Sequence, residues 1–194
     1  MVAVIKYNAG NIRSVAFALE RLGVEFVITD NHEEIQKADK VIFPGVGEAS
    51  STMNYLKDHG LDQVIKELKQ PVLGICLGMQ LMCSYSEENN TTCLGIFNES
   101  VKLFKPVHHE KVPHMGWNSL TLTPGWLDDD VNGQYVYFVH SYYVPVNLYT
   151  TAITDYILPF SSAIKKDNFY AVQFHPEKSS TIGEKVLRSF LNIL

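Results

Sequence analysis

The stretch Pro71-Val72-Leu73-Gly74-Ile75-Cys76-Leu77-Gly78-Met79-Gln80 constrains the fold of this chain more than any other. Val72 to Ile75 has the length and apolar content of a buried strand, and an amphipathic helix is predicted to begin directly after Cys76. Gly74 and Gly78 keep side chains away from a tight strand-to-helix turn. Such a turn exposes its apex residue at the edge of a sheet, the geometry of a nucleophile elbow with Cys in the place of Ser. The start of a helix favours thiolate over thiol, and the Leu77 N–H faces the region where an oxyanion would form. Against this stands the plainer reading of Cys76 as a small buried hydrophobe, the usual state of a lone cysteine.

The elements before the turn give it a setting. Val2 to Tyr7, Glu25 to Ile28 and Lys40 to Phe43 read as strands. Helical segments follow them: Ile12 to Leu22 with Gly23 in the C-cap position, a short helix to Ala38 opened by the capping box Asn31…Glu34, and segments ending near Gly60 and Lys69. Strands alternating with helices predict an α/β fold with a doubly wound, mostly parallel sheet. Right-handed crossovers gather the loops after successive strands at one edge of such a sheet. Pro44-Gly45-Val46-Gly47 and the Cys76 turn are therefore expected to open on one crevice.

From about Leu94 the pattern changes to short strand-like runs: Val101 to Phe104, Ser119 to Leu122, Tyr135 to Val139, Thr150 to Ile153, Ser162 to Lys165 and Phe169 to Phe174. Pro, Gly, Asn and Asp separate them, which predicts antiparallel strands added to the parallel sheet. A closing helix carries Ile182, Val186, Leu187, Phe190, Leu191 and Leu194 on one stripe. With no repeat, low-complexity segment or linker, residues 1–194 are expected to form a single domain.

Composition narrows the function classes. A chain of 194 residues with 46% hydrophobic and 19% charged residues can bury a sizeable core. A formal charge of −5 argues against nucleic acid or an anionic membrane surface as partner. Three cysteines, Cys76, Cys83 and Cys93, and an N-terminus too quickly polar for a signal peptide point to reduced thiols in the cytoplasm. Cys83 and Cys93 are expected to be packing residues.

A cysteine nucleophile needs a base. Of the seven histidines, His32 and His59 fall on polar helical segments, and His108-His109-Glu110 sits in a charged loop. His108, His109 and His114 lack strict ligand spacing, so no metal site is predicted. His175 differs, because it ends the run Phe169 to Phe174 and is followed by Pro176 and Glu177. In extended backbone, residues two apart share a face, and Pro176 biases His175 toward that conformation. A carboxylate beside an imidazole fixes its tautomer and steadies the imidazolium.

Gly74-Ile75-Cys76-Leu77-Gly78-Met79-Gln80 together with Phe174-His175-Pro176-Glu177 resembles the class I (triad) glutamine amidotransferases. Pro44-Gly45-Val46-Gly47 matches that family's oxyanion loop. Three further stretches narrow the resemblance to the glutaminase subunits of imidazole glycerol phosphate synthase. These are Tyr7-Asn8-Ala9-Gly10-Asn11-Ile12-Arg13-Ser14-Val15, Pro113-His114-Met115-Gly116-Trp117-Asn118 and His175-Pro176-Glu177-Lys178-Ser179. The motifs run from the first strand to the last helix. Lys6 and Asn8 stand where this family often has an acidic residue and a glycine.

The resemblance implies a flavodoxin-like fold and a catalytic triad of Cys76, His175 and Glu177. It implies oxyanion donors from Leu77 and from the Gly45-Val46-Gly47 loop, and glutamine-binding roles for Gln80, Glu88, Ser141 and Tyr142. It further implies a (β/α)8-barrel cyclase partner met by Asn11, Trp117, Tyr137 and Lys178, L-glutamine as substrate, and no cofactor. Trp117 could equally be a core aromatic. Two other readings stay open at the level of sequence: the same glutaminase supplying another synthase, and a non-enzymatic cysteine redox or binding module. The second does not require a His-Pro-Glu after the last strand.

Overall fold

The computed structural model describes residues 1–7 and 11–193. Asn8, Ala9 and Gly10 of the first loop motif, and Leu194 of the predicted helix stripe, lie outside the described residues.

The elements follow in the order β1 (Val2–Ile5), α1 (Ile12–Arg21), β2 (Phe26–Thr29), α2 (His32–Lys37), β3 (Lys40–Gly45), α3 (Ala49–Asp58), α4 (Leu61–Glu67), β4 (Val72–Cys76) and α5 (Leu77–Met82). The second half comprises β5 (Cys83–Ser86), β6 (Thr91–Thr92), β7 (Phe97–Leu103), β8 (His114–Ser119), β9 (Thr121–Leu122), β10 (Tyr135–His140), β11 (Tyr142–Tyr143), β12 (Thr150–Asp155), β13 (Pro159–Lys166), β14 (Phe169–Val172) and α6 (Ser180–Leu191). Local signals act where the sequence places them. The Asn31 side chain accepts from the Glu34 N–H at 3.1 Å, and Gly23 takes a φ of +69° after α1.

The main sheet has the order β2-β1-β3-β4-β14-β13-β12-β9. Its first five strands pair in parallel, in the 2-1-3-4-5 sequence of a doubly wound sheet, and β13, β12 and β9 extend it antiparallel. The expected antiparallel additions are thus present, although not every strand-like run of the second half joins them. β14 is a parallel strand beside β4, whereas among the described residues β8 and β10 pair only with each other, and β11, β7, β5 and β6 form a third sheet. Short alternating runs do not specify their partners, because pairing depends on distant strands.

Alternation along the strands divides the core into two layers. Ala3, Ile5, Val41, Phe43 and Val72 meet residues of α2, α3 and α4 on one face. Val2, Val4, Ile42, Leu73 and Ile75 meet residues of α1 and α6 on the other. Phe43, Leu19 and Phe190 are among the completely enclosed side chains, each contributing about 1.5–3 kcal/mol by burial.

The predicted amphipathic helix after Cys76 is corrected. Helix α5 has six residues, all buried, and ends as Cys83 opens β5. It lies between the sheet and its surrounding elements, so it needs no polar face. Cys83 therefore belongs to a strand, although it is buried as a packing residue should be, and so is Cys93.

Candidate active site

Cys76 ends β4 with φ 55° and ψ −108°, a conformation that L residues rarely adopt. The turn is possible because β3, β4 and α5 come very close. A methyl group on Gly78 would collide with the Phe43 carbonyl oxygen, and one on Gly74 would lie 3.0 Å from the Gly78 carbonyl carbon. Side chains at either position would push α5 off the sheet and remove the bend that turns Cys76 outward.

The ends of β3 and β4 adjoin, with Gly45 paired to Cys76. Beyond them Val46, Gly47, Cys76, Leu77, Gln80, Glu88, Ser141, Tyr142, His175 and Lys178 line one cleft of about 300 Å³. The two glycine-bearing turns meet as topology predicts. Strand β3 runs to Gly45, past the Phe43 expected from sequence. Tyr7, buried at the end of β1, donates its hydroxyl to the Pro44 carbonyl and ties this loop to the first strand.

His175 and Glu177 come together by a different backbone route from the one expected. His175 is extended, with φ −102° and ψ 94°, but Pro176–Lys178 then closes as a 3-10 turn. The turn brings Glu177 Oε1 to 2.7 Å from His175 Nδ1, with the two side chains 0% and 2% exposed. Burial pulls the His175 pKa down, yet the facing Cys76 sulfur and the Glu177 carboxylate outweigh it and hold the imidazole at about 10.

Asn11, predicted on the partner side, donates its Nδ2 to Glu177 Oε1 and lies 3.5 Å from His175 Nδ1. Strand β10 is tied to the same turn, because the Tyr137 carbonyl accepts from His175 N and Tyr137 N donates to Ser179 Oγ, both at 2.9 Å. Trp117 is 53% exposed and is not a core aromatic. It packs edge-on against Tyr137, and exposed Met115 and Tyr135 extend the apolar face of the β8–β10 pair.

The residues expected to bind substrate divide by what they touch. Glu88 lies at the cleft wall, where Oε2 accepts from Ala49 N at 2.8 Å. Burial raises its pKa, the Ala49 N–H opposes that shift, and neighbouring Glu48 reinforces it. Gln80 is 5% exposed and donates from Nε2 both to the Tyr142 carbonyl and to Gln173 Oε1, each at 2.9 Å. Only its Oε1 is left to meet a ligand.

Two buried polar residues at the site escaped the sequence reading. Gln173 is wholly enclosed, and its Nε2 lies 3.7 Å from Cys76 Sγ. His140 pairs with His114, Nε2 to Nδ1, at 3.1 Å. The available signal was a lone polar residue in an otherwise apolar strand, Gln173 in Phe169 to Phe174 and His140 directly after Tyr135 to Val139. His32, His59, His108 and His109 are exposed as expected. Among the described residues no group of three or more His, Cys, Asp or Glu is placed to hold a metal, and no helix is long and apolar enough to cross a membrane.

Comparison with known proteins agrees with this geometry. The model of the glutamine amidotransferase class-I family matches residues 3–193. The imidazole glycerol phosphate synthase subunit HisH of Bacteroides fragilis is 63% identical, over 99% of both chains. That of Bacteroides thetaiotaomicron is 64% identical over the same shares, and HisH 2 of Legionella pneumophila is 47% identical over 100% of this chain and 98% of its own. A crystal structure of a glutamine amidotransferase superposes with TM-score 0.74 at 18% identity, covering 98% of this chain and 97% of the other. The structure of PurLQS from Thermotoga maritima gives 0.66 at 16%, covering 98% and 97%, and at these identities both speak for the fold alone. With its whole length shared at such identity, the chain belongs to the class I glutamine amidotransferases and, among them, to the HisH glutaminase subunits of imidazole glycerol phosphate synthase, which act in histidine biosynthesis.

Proposed function

We propose that residues 1–194 work as one cytoplasmic domain in which Cys76, His175 and Glu177 hydrolyse L-glutamine, and that a (β/α)8-barrel cyclase docks on the side carrying Asn11, Trp117, Tyr137 and Lys178. The observation that carries the chemistry is the shared cleft of Cys76, His175, Val46, Gly47 and Leu77, with Glu177 behind the imidazole. Cys76 Sγ attacks the side-chain carboxamide carbon, and the imidazolium of His175 gives its proton to departing ammonia. A thioester remains. Water, deprotonated by His175, attacks that carbonyl and releases glutamate, while Glu177 holds the ring in one tautomer.

The oxyanion of each tetrahedral intermediate would take the Leu77 N–H and one N–H from Gly45-Val46-Gly47. A single such donor contributes about 3–4 kcal/mol, so the orientation of that loop is enough to switch the enzyme on or off. Glu88 is suited to the substrate α-ammonium, Gln80 Oε1 to an N–H of the bound amino acid, and the Ser141-Tyr142 segment to its polar groups. The chemistry needs neither metal nor cofactor.

The docking side is supported by the exposed Trp117 and Tyr135, aromatic anchors of the kind that carry interface energy, and by Lys178 at the cleft rim. Ammonia handed directly to a cyclase escapes protonation in water. Its addition to a phosphoribulosyl intermediate would give imidazole glycerol phosphate and aminoimidazole carboxamide ribotide.

The test is glutamate release by the chain alone and by the chain with cyclase and its nucleotide ligand. A nearly silent isolated chain and an active complex are expected. An activated complex that releases no glutamate, or a Cys76→Ser complex that keeps full activity, overturns the proposal.

A further inference from the structure

Gln173 is the polar side chain whose position the triad does not explain. It is 0% exposed, it is enclosed beneath the cleft, and it faces the sulfur. Oxygen and nitrogen of an amide are hard to tell apart by shape, but the hydrogen-bond partners decide the matter here. The Tyr142 carbonyl can only accept, so the Gln80 atom 2.9 Å from it is Nε2. That same nitrogen lies 2.9 Å from the Gln173 amide, so the Gln173 atom facing it is the oxygen. Nε2 of Gln173 therefore points at Cys76 Sγ, 3.7 Å away.

The Tyr142 carbonyl is itself held from a second side. His140 Nδ1 lies 2.7 Å from it and must carry the hydrogen. His140 Nε2 then accepts from His114 Nδ1. A chain of forced orientations thus runs from β8 through β10 and α5 to the sulfur, anchored on one backbone oxygen. Rotating the Gln173 amide by half a turn would set two N–H groups against each other in a buried space.

We propose that Gln173 is a catalytic hydrogen-bond donor to the Cys76 thiolate, and that Gln80 is the positioning residue that keeps its N–H on the sulfur. The inference rests on the glutaminase reading of Cys76 and deepens it. When protonated, Cys76 has the Val139 carbonyl to donate to, at 3.8 Å. Gln173 offers nothing to that hydrogen and favours the anion, as a donor to a charged acceptor does. The titratable side chains that face the sulfur are His175, from the turn after β14, and Tyr7, from the end of β1. Gln173 adds a neutral donor whose effect does not change with pH. Gln80 also links substrate to nucleophile, because a ligand on its Oε1 pulls on the amide that fixes Gln173.

The test is the pH profile of Cys76 alkylation by iodoacetamide in the full chain. Gln173→Met keeps length and volume and removes the donor, and its profile should move up by about one pH unit, or about tenfold less reactive sulfur at a given pH on the rising limb. Gln173→Glu keeps an acceptor for Gln80 and should move at least as far in the same direction. Profiles that superpose on the wild type overturn the proposal. A measurement on the unmutated protein serves if neither variant folds: the Gln173 side-chain NH2 resonances should follow the Cys76 titration, and resonances that stay still overturn it. Glutamate release by the wild-type complex is read in parallel. An inert complex with shifted profiles counts against the glutaminase and supports the donor, whereas an active complex with unshifted profiles counts against Gln173 alone.

Discussion

His175 Nδ1 lies 2.7 Å from Glu177 Oε1, inside a turn that Pro176 begins and the Ser179 N–H to Pro176 carbonyl bond closes. Two residues of separation and a short turn therefore set the pair on one side. On the other side of the carboxylate, Asn11 donates to the same oxygen. Glu177 is thus held both by its own turn and by Asn11, the residue that precedes α1.

Replacing Glu177 by Gln keeps the shape and an oxygen to accept from Asn11 and His175, but removes the negative charge that faces the imidazole. Glutaminase kcat in the activated complex should fall on the order of 10³-fold, because the imidazolium loses the carboxylate that steadies it. Initial rates of glutamate release at saturating glutamine measure this, with far-UV circular dichroism to show an intact fold.

Cys76→Ala removes the proposed nucleophile. Glutamate release should drop by about 10⁴-fold or more, while affinity for the cyclase changes little, since Cys76 is enclosed in the cleft. Titration calorimetry and the glutaminase assay together separate the two effects.

Gly78→Ala tests the close approach of α5 to β3. The added methyl meets the Phe43 carbonyl, which belongs to a central strand and cannot swing aside. A loss of about 3 kcal/mol in urea unfolding is expected, as for severe overpacking, accompanied by lower activity because the Cys76 bend relaxes. An unchanged midpoint would show that α5 can lift without cost.

Trp117→Ala should weaken cyclase binding by about 2 kcal/mol, or roughly 30-fold in Kd, and leave the stability of the isolated chain nearly unchanged. The expectation follows from its 53% exposure on the β8–β10 face. A large fall in melting temperature with unaltered binding would make Trp117 a structural residue.

The buried histidine pair makes stability depend on pH. Burial lowers the pKa of His114 from 6.5 to about 4 and that of His140 from 6.5 to about 3, the latter despite its bond to the Tyr142 carbonyl. Below pH 6.5 the unfolded chain takes up protons that the folded pair refuses. This stability is present above that pH and declines on acidification by about 1.4 kcal/mol per histidine per pH unit until the folded values are reached. Urea midpoints at pH 7, 6 and 5 should fall in order, more steeply than in His140→Asn.

The Cys76 bend, the Asn31 cap and the His175–Glu177 relation were legible in the sequence because each depends on residues within a few positions of one another. The alternation of strands and helices likewise announced the parallel sheet, whose strand ends bring Gly45 beside Cys76. The antiparallel half was legible only as a set of strands. Nothing in Tyr135 to Val139 says that its partner is β8 and no strand of the main sheet, because that choice depends on register and burial against distant elements.

The sequence by itself determined the family of folds and singled out Cys76, His175 and Glu177, since tight turns, caps and apolar periodicity are local properties of the chain. The tertiary structure alone decided that Gln173 faces the sulfur, that His140 pairs with His114, and that Trp117 stands in solvent. Those relations join residues as far as 97 positions apart, and the orientation of a buried amide or imidazole is set by the partners that folding brings to it.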